Sequence, residues 1–348
     1  MSELDPRERL GDPCPPKTRT DLEWDRVLEA LASRCAFALG RDLARRLPFE
    51  PTREDVVIAL AEAKEATDLF YAGEPLPLGD VPDVGEGVAR LRVGGVLGGP
   101  ELRDLGRMLA AARSLRRFLA QKRERASRLY ARCATDPTLD ALADEITGAF
   151  DADGTLADHA SPRLKELRGE QRAARARMKS RLEELMRRYE GIVQDAYVTE
   201  REGRWVIPVR SDAHERFPGI VHGTSASGAT LFVEPRAVIP MGNRLKVLEG
   251  EVTREEIQVY TRLSALLHDA LPSIEAAAEA LALADVRAAT ARLADERRLS
   301  FPEISDQPVF RLLRARHLLL AEAGVDVVPS DVAIEGGRAL VVSGPNAG

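Results

Sequence analysis

The 348-residue sequence is poor in the residues from which compact chemical sites are built. Its three cysteines, Cys14, Cys35 and Cys133, are odd in number and far apart, with no Cys-x-x-Cys pair. That excludes a disulfide framework and a zinc ribbon, and it points to a reducing, cytoplasmic setting. Five histidines, His159, His214, His222, His268 and His317, are scattered. No Ser/His/Asp, Cys/His or metal-ligand constellation forms around them, so no catalytic residue and no metal ligand is assigned. No window approaches 18 consecutive apolar residues, which excludes a membrane span and a membrane partner. The opening MSELDPRERLGDPCPPKTRT lacks the apolar core of a secretory signal. Its proline and charge content reads as a disordered tail, residues 1–18.

Aromatics make up only 5% of the chain, while Ala, Leu, Arg and Glu abound, a bias toward helices. The net charge of -6 is the wrong sign for a nucleic-acid binder, but its distribution is uneven. Residues 101–132 carry ten Arg/Lys against three acids, and residues 163–190 carry ten against five. Two readings stand: solvated helices laced with ordinary ion pairs, or surfaces that meet phosphates. On the second, the candidate contacts are Arg113, Arg116 and Arg117 in the first stretch, and Arg168, Arg172, Arg175 and Lys179 in the second.

Periodicity predicts a mainly α fold with a small β insert. Leu22, Val27, Leu28, Leu31, Cys35 and Leu39 fit one helix from about 21 to 47, capped by Thr20 or Asp21 and ended by Pro48 and Pro51. A second spans about 53–71. A Pro/Gly-rich loop follows, and Pro100 is placed to start a basic helix running to about Cys133. DPTLDALADEI is a short helix. Asp151, Asp153 and Gly154 suggest calcium, but the glycine and glutamate spacing of a calcium loop is absent, and a Gly154 turn is the reading taken.

From Ser161-Pro162, the positions Leu164, Leu167, Gln171, Ala174, Met178, Leu182, Leu185 and Tyr189 step by 3 and 4. Some 30 residues at 1.5 Å make a rod of roughly 45 Å. Leu245, Leu248, Val252, Val259, Leu263 and Leu266 predict a matching antiparallel rod, with one core position falling on Glu256. Between them, YVTEREGRWVIPVR and GIVHGTSASGATLFVEP alternate like strands around Gly203 and Gly228 turns. This insert has about as many acids as arginines. Phe232 and Glu234, like Phe301 and Glu303, match a loose F-x-E pattern and are read as structural. A helix after Pro272 leads to VDVVPSDVAIEGGRALVVSGPNAG, a strand, a Gly-Gly turn, a strand Ala339–Val342 and a Gly-rich loop.

Gly344, Pro345, Asn346, Ala347 and Gly348 occupy the first five positions of a phosphate-binding G-x-x-x-x-G-K-[ST] loop. With Ser343 they resemble the start of the MutS-family nucleotide loop. Arg316-His317-Leu318-Leu319 resembles that family's RHPL segment, with Leu318 in place of Pro. Val328-Pro329-Ser330-Asp331 resembles its VPND segment. LEWDRVLEALASRC, RVGGVL at 92–97, WVIPVR and GIVHGTSASGATLFVEP are similar to the second bacterial MutS paralogue family, the kind fused to an Smr nuclease domain.

The resemblance implies a MutS-like core (19–150), an ascending lever helix (151–195), a β clamp (196–240), a descending lever with the rest of the core (241–300), and the edge of an ATPase domain (301–348). It implies a homodimeric parent that uses ATP and Mg, binds branched DNA, suppresses recombination and nicks DNA as an endonuclease. Rescue of collided ribosomes through ribosomal RNA is the alternative. His317 is implied either near the nucleotide or in support of that edge, and Val327 stands where an aromatic would stack on adenine. The chain reads as an N-terminal fragment ending inside the loop, expected to bind no cofactor, to hydrolyse no ATP and to be a monomer or weak dimer. A reading from another class is a structural coiled-coil arm.

Overall fold

The computed structural model describes residues 15–341. Cys14, the tail to residue 14, Val342 and the loop residues Gly344, Pro345, Asn346, Ala347 and Gly348 lie outside the described residues. The chain forms two compact units. One gathers residues up to 95, 101–147 and those from 266 onward; the other holds 96–100 and 148–265. The mainly helical reading, with small antiparallel sheets, is borne out.

The first eight helices are α1 (Pro16–Asp21), α2 (Trp24–Ala32), α3 (Ala38–Arg45), α4 (Arg53–Tyr71), α5 (Gly85–Arg92), α6 (Gly99–Gln121), α7 (Ser127–Arg132) and α8 (Leu139–Gly148). Next come α9 (Pro162–Arg188) and the strands β1 (Thr199–Arg201), β2 (Arg204–Arg210), β3 (Gly219–Thr224) and β4 (Thr230–Pro235). The chain continues through α10 (Ile239–Asp269), α11 (Leu271–Arg297), β5 (Val309–Ala315), α12 (Leu318–Glu322) and β6 (Ser330–Glu335). No described helix is long and apolar enough to cross a membrane.

In the first unit, α11 is the central helix. It buries residues on all sides, among them Ile274, Ala277, Leu281, Ala284, Val286, Ala288 and Ala291, and packs against α3 and α4. Its alanines bring those helices close at little side-chain entropy.

Periodicity predicts one helix from 21 to 47; the chain forms two. Phe37 is extended, at φ -136° and ψ 169°. The backbone N–H groups of Ala36 and Phe37 donate to the Asp285 carboxylate of α11, at 2.9 and 3.2 Å. Asp285 is fully buried, and burial raises its pKa while these bonds oppose the rise. A side chain at Gly40 would collide with this carboxylate, so glycine there leaves room for the cap. Neither Thr20 nor Asp21 caps α2, whose N-cap is Glu23 at φ 49°. The tail expected to reach residue 18 is already helical from Pro16.

The basic helix expected to reach Cys133 also breaks, between α6 and α7. Glu74 takes ion pairs from Lys122 and Arg125 in the turn. The Glu65 carboxylate on α4 accepts the N–H groups of Arg128 and Leu129, at 3.1 and 2.9 Å, capping α7. Helix α5 and strand β5 are not foreseen from the sequence. β5 pairs antiparallel with β6, and residues 339–341 carry no strand.

In the second unit, Ser161 caps α9 by accepting the Leu164 N–H, as the Ser-Pro start predicts. The insert is a four-stranded antiparallel sheet in the order β1-β2-β4-β3. Gly203 sits in the β1–β2 turn, and Gly154 in a loop closed by a Phe150–Leu156 bridge.

Candidate nucleic-acid interface

Helix α9 buries Leu164, Leu167, Ala174, Met178, Leu182 and Leu185, and α10 buries Leu245, Leu248, Val252, Val259 and Leu263. The break in the apolar pattern at Glu256 has a partner. Arg168 Nη2 donates to Glu256 Oε1 at 2.8 Å, while Nη1 donates to the Leu156 carbonyl at 2.6 Å and to Asp158 at 3.1 Å. The Arg168 side chain is only 18% exposed. It is a part-buried cation filling a polar gap in the seam, with both Nη atoms bonded. Arg175–Glu249 and Arg244–Glu170 add pairs between α9 and α10 further along, at 3.0 and 2.9 Å.

The other candidates on α9 are more open. Arg172 is 64% exposed and pairs with Asp158 at 3.0 Å. Arg175 is 56% exposed. Lys179 is exposed and makes no ion pair among the described residues, as do Lys165 and Arg177, which the sequence reading counts but does not single out. Arg163 and Arg181 pair within the helix with Glu166 and Glu184. An exposed pair of this kind is worth about 0–1 kcal/mol, so it holds its cation weakly.

In the first unit, Arg113, Arg116 and Arg117 converge on one acid. Arg116 meets Asp140 at 2.7 Å and Arg117 at 3.3 Å; Arg113 reaches Asp140 and Asp144. Arg113 and Arg116 are each 18% exposed. This trio fastens α6 to α8, and only Arg117 offers an open guanidinium.

Three of the five arginines of the β insert are engaged as well. Arg201 lies 4.4 Å over the Phe232 ring, Arg204 donates to Asn243 at 2.8 Å, and Arg210 pairs with Asp212. Glu234, the acid of the first F-x-E match, is buried and accepts from His222 at 2.8 Å. His222 falls at the β3 register shift between Val221 and Gly223, which turns its ring toward β4.

His317 is exposed at the N-cap of α12, and Val327 is half-exposed in the chain leading to β6. Their neighbour Arg316 donates to the Arg297 carbonyl at the end of α11. Glu322 of α12 is held by Arg34 and Arg297, and those bonds keep its carboxyl below the usual range against the opposing effect of burial. Gly344–Gly348 lie outside the described residues. Among the described residues no group of His, Cys, Asp and Glu could hold a metal ion. Burial pushes the Cys35 and Cys133 thiols up to about 12, which makes them poor nucleophiles.

No protein-family model matches the chain. Individual relatives do. The chain is 36% identical over 348 residues to a protein named Endonuclease MutS2 from Anaeromyxobacter sp. (strain Fw109-5), covering 95% of this chain and 43% of that protein. Proteins of the same name from Symbiobacterium thermophilum and Thermomicrobium roseum are 36% and 34% identical, over 95% and 94% of the chain. The chain spans 42% and 43% of those two, less than half the length of each relative. Such identity along nearly the whole chain extends well beyond the few motifs read from the sequence: the chain belongs to the MutS2 family.

Proposed function

We propose that this chain is the nucleic-acid-binding region of a MutS2-type protein, with α9 and α10 as a lever and the four-stranded sheet as a clamp. The observation that carries it is on α9. Lys165 and Lys179 project from the helix without ion pairs among the described residues, and Arg172 is tied only to the partly exposed Asp158. Such cations release counterions on meeting phosphates, a driving force indifferent to base sequence. In this reading the whole protein is a homodimeric ATPase and endonuclease acting on branched DNA.

A nucleotide belongs to the same reading, ATP with Mg²⁺. Of its implied residues, His317 and Val327 form no phosphate cradle among the described residues, so no nucleotide chemistry is derived from them. The test is a titration of the purified chain with duplex and branched DNA at about 50 and about 200 mM salt. Binding that weakens steeply with salt is expected. Absence of binding at the lower salt sinks the proposal and leaves a structural helical arm.

A further inference from the structure

In the first unit, helices α3, α4, α5 and α11, with the residues after α7, surround a cleft of about 1190 Å³. All of its lining belongs to that unit. Its walls are largely apolar: Leu39 and Leu43 come from α3, Ile58 from α4, Val88 from α5 and Leu283 from α11. Along α11 the lining is mostly alanine, and those short side chains keep the space open. The volume lies just above the roughly 300–1,000 Å³ of small-molecule sites, which share this pattern of apolar walls and a few convergent polar groups.

The polar groups here are Glu62 of α4 and Arg287 of α11, whose side chains are only 4% and 11% exposed. Arg287 Nε and Nη2 both donate to Glu62 Oε2, at 3.1 and 2.6 Å. Arg287 Nη1, a donor, and Glu62 Oε1, an acceptor, then have no hydrogen bond among the described residues. The enclosed side-chain atoms without a partner are Trp24 Nε1, Arg103 Nε and Arg113 Nε, so neither of these two is sealed in protein. Both belong to residues that line the cleft, and they open into it. A buried carboxylate gains from every hydrogen bond it can accept, and Oε1 lacks one. The charges of the lining balance closely, four arginines against five acids, and Arg92 is held by Glu275 at 2.7 Å. A lining of both signs has no phosphate-like preference and favours an uncharged ligand.

We infer that this cleft is a binding site for a small uncharged molecule with an apolar body and an amide head. The body lies against Leu39, Leu43, Ile58, Val88 and Leu283. The amide carbonyl accepts from Arg287 Nη1, and the amide N–H donates to Glu62 Oε1. Glu62 Oε2 keeps Arg287 in place throughout, so the donor and the acceptor are positioned before the ligand arrives. An ester head accepts but cannot donate, and it leaves Glu62 Oε1 bare. A carboxylate head brings a like charge to Glu62. The inference does not depend on the nucleic-acid reading, whose cations lie on α9 in the other unit.

The experiment is equilibrium dialysis of octanamide against the full chain, with methyl octanoate and octanoate as comparisons. Octanamide should bind at one site with a Kd of about 1 mM or below. It should bind about tenfold or more tightly than either comparison, the effect of one hydrogen bond to a charged group. Between about 50 and about 200 mM salt its affinity should hardly change, since the ligand carries no charge. Glu62→Gln gives its amide oxygen to Arg287 and turns an N–H₂ toward the ligand, so it should bring octanamide and methyl octanoate within about twofold of each other. Ile58→Trp, at a side chain 40% exposed, should fill the cleft and weaken octanamide by about tenfold or more. Circular dichroism checks the fold of each variant, and Ile58→Trp decides if Glu62→Gln does not fold. No octanamide binding up to its solubility limit overturns the inference. Equal binding of amide and ester by the parent chain removes Glu62 from the site and overturns it as well. Unchanged affinity in folded Ile58→Trp places the ligand elsewhere, with the same result.

Discussion

Arg168 and Glu256 offer the sharpest check on how the lever pair is held together. Arg168 makes charged hydrogen bonds to Glu256 and Asp158 and a third bond to the Leu156 carbonyl, from a side chain 18% exposed. Hydrogen bonds to charged groups contribute about 1.5–3 kcal/mol each, and removing one partner leaves the other uncompensated. Arg168→Leu strands Glu256 and the Leu156 carbonyl; Glu256→Leu strands part of the guanidinium. After discounting for partial exposure, each single change should cost the second unit about 2–4 kcal/mol.

The double variant should behave differently. Leucines at both positions continue the apolar seam of Leu164, Leu167, Val252 and Val259, and replacing a largely buried pair by packed apolar groups is often neutral or stabilising. Asp158 keeps Arg172 as a partner. The double variant still strands the Leu156 carbonyl, at about 1–3 kcal/mol, so it should cost no more than Arg168→Leu alone and clearly less than the sum of the two single changes, a favourable coupling in the cycle. Trp24→Phe leaves Trp205, in β2, as the sole tryptophan, so denaturant unfolding followed by fluorescence reports the second unit. Single changes that cost nothing, or a double variant as unstable as the sum of the singles, would refute the seam described here.

Gly40→Ala should cost about 1–3 kcal/mol in the parent, because the new methyl meets the Asp285 carboxylate. With Asp285→Ala already present it should instead stabilise by up to about 1 kcal/mol, the ordinary helix preference for alanine, and a cycle followed at Trp24 shows whether the sign reverses. In a Cys14→Ser background, a thiol reagent at mild alkaline pH should label no cysteine in the folded chain and two after denaturation, since both buried thiols titrate at about 12. Prompt labelling of either in the native state contradicts their burial. Hydrogen bonds, first from Arg168 and then from Arg172, hold the Asp158 carboxyl below its ordinary 3.8. Its stabilising effect is therefore present above that value and lost as pH falls through the lower folded value. Acid unfolding of the second unit should shift to higher pH in Asp158→Asn, and an unchanged midpoint removes the pair from the account.

Wherever one stretch of chain holds all the information, structure could be read from sequence. The α9 seam shows in the 3–4 stepping of its apolar residues, its start in Ser161-Pro162, and the hairpin turn at Gly203 in its flanking alternation. Helix α4 also matches its predicted span, because the boundary signals, Thr52 as N-cap and Gly73 after the end, are adjacent to it. Charge counts located the basic stretches but not the state of each cation. Arg113, Arg116 and Arg168 count toward a basic surface in a local tally, yet each is largely buried against acids that are distant in sequence or on another element.

What stayed hidden was the pair of helix breaks, and one physical cause explains both. Around Phe37 and around Arg128 the local residues allow a continuous helix, so periodicity runs straight through. A carboxylate from far along the chain ends it: Asp285 lies 248 residues from Phe37, and Glu65 lies 63 from Arg128. Each supplies to exposed backbone N–H groups what a Ser or Asp at the N-cap supplies elsewhere. A cap that comes from another helix leaves no trace near the break, but it leaves one at the donor. Asp285 is an acid in the middle of an alanine-rich helix buried on all sides, where an unpaired carboxylate is costly. Glu256, an acid in an apolar seam, is the same kind of mark, and its partner is Arg168. In a helical chain of this composition, a lone acid at a core position points to a distant cation or helix end that must come to meet it.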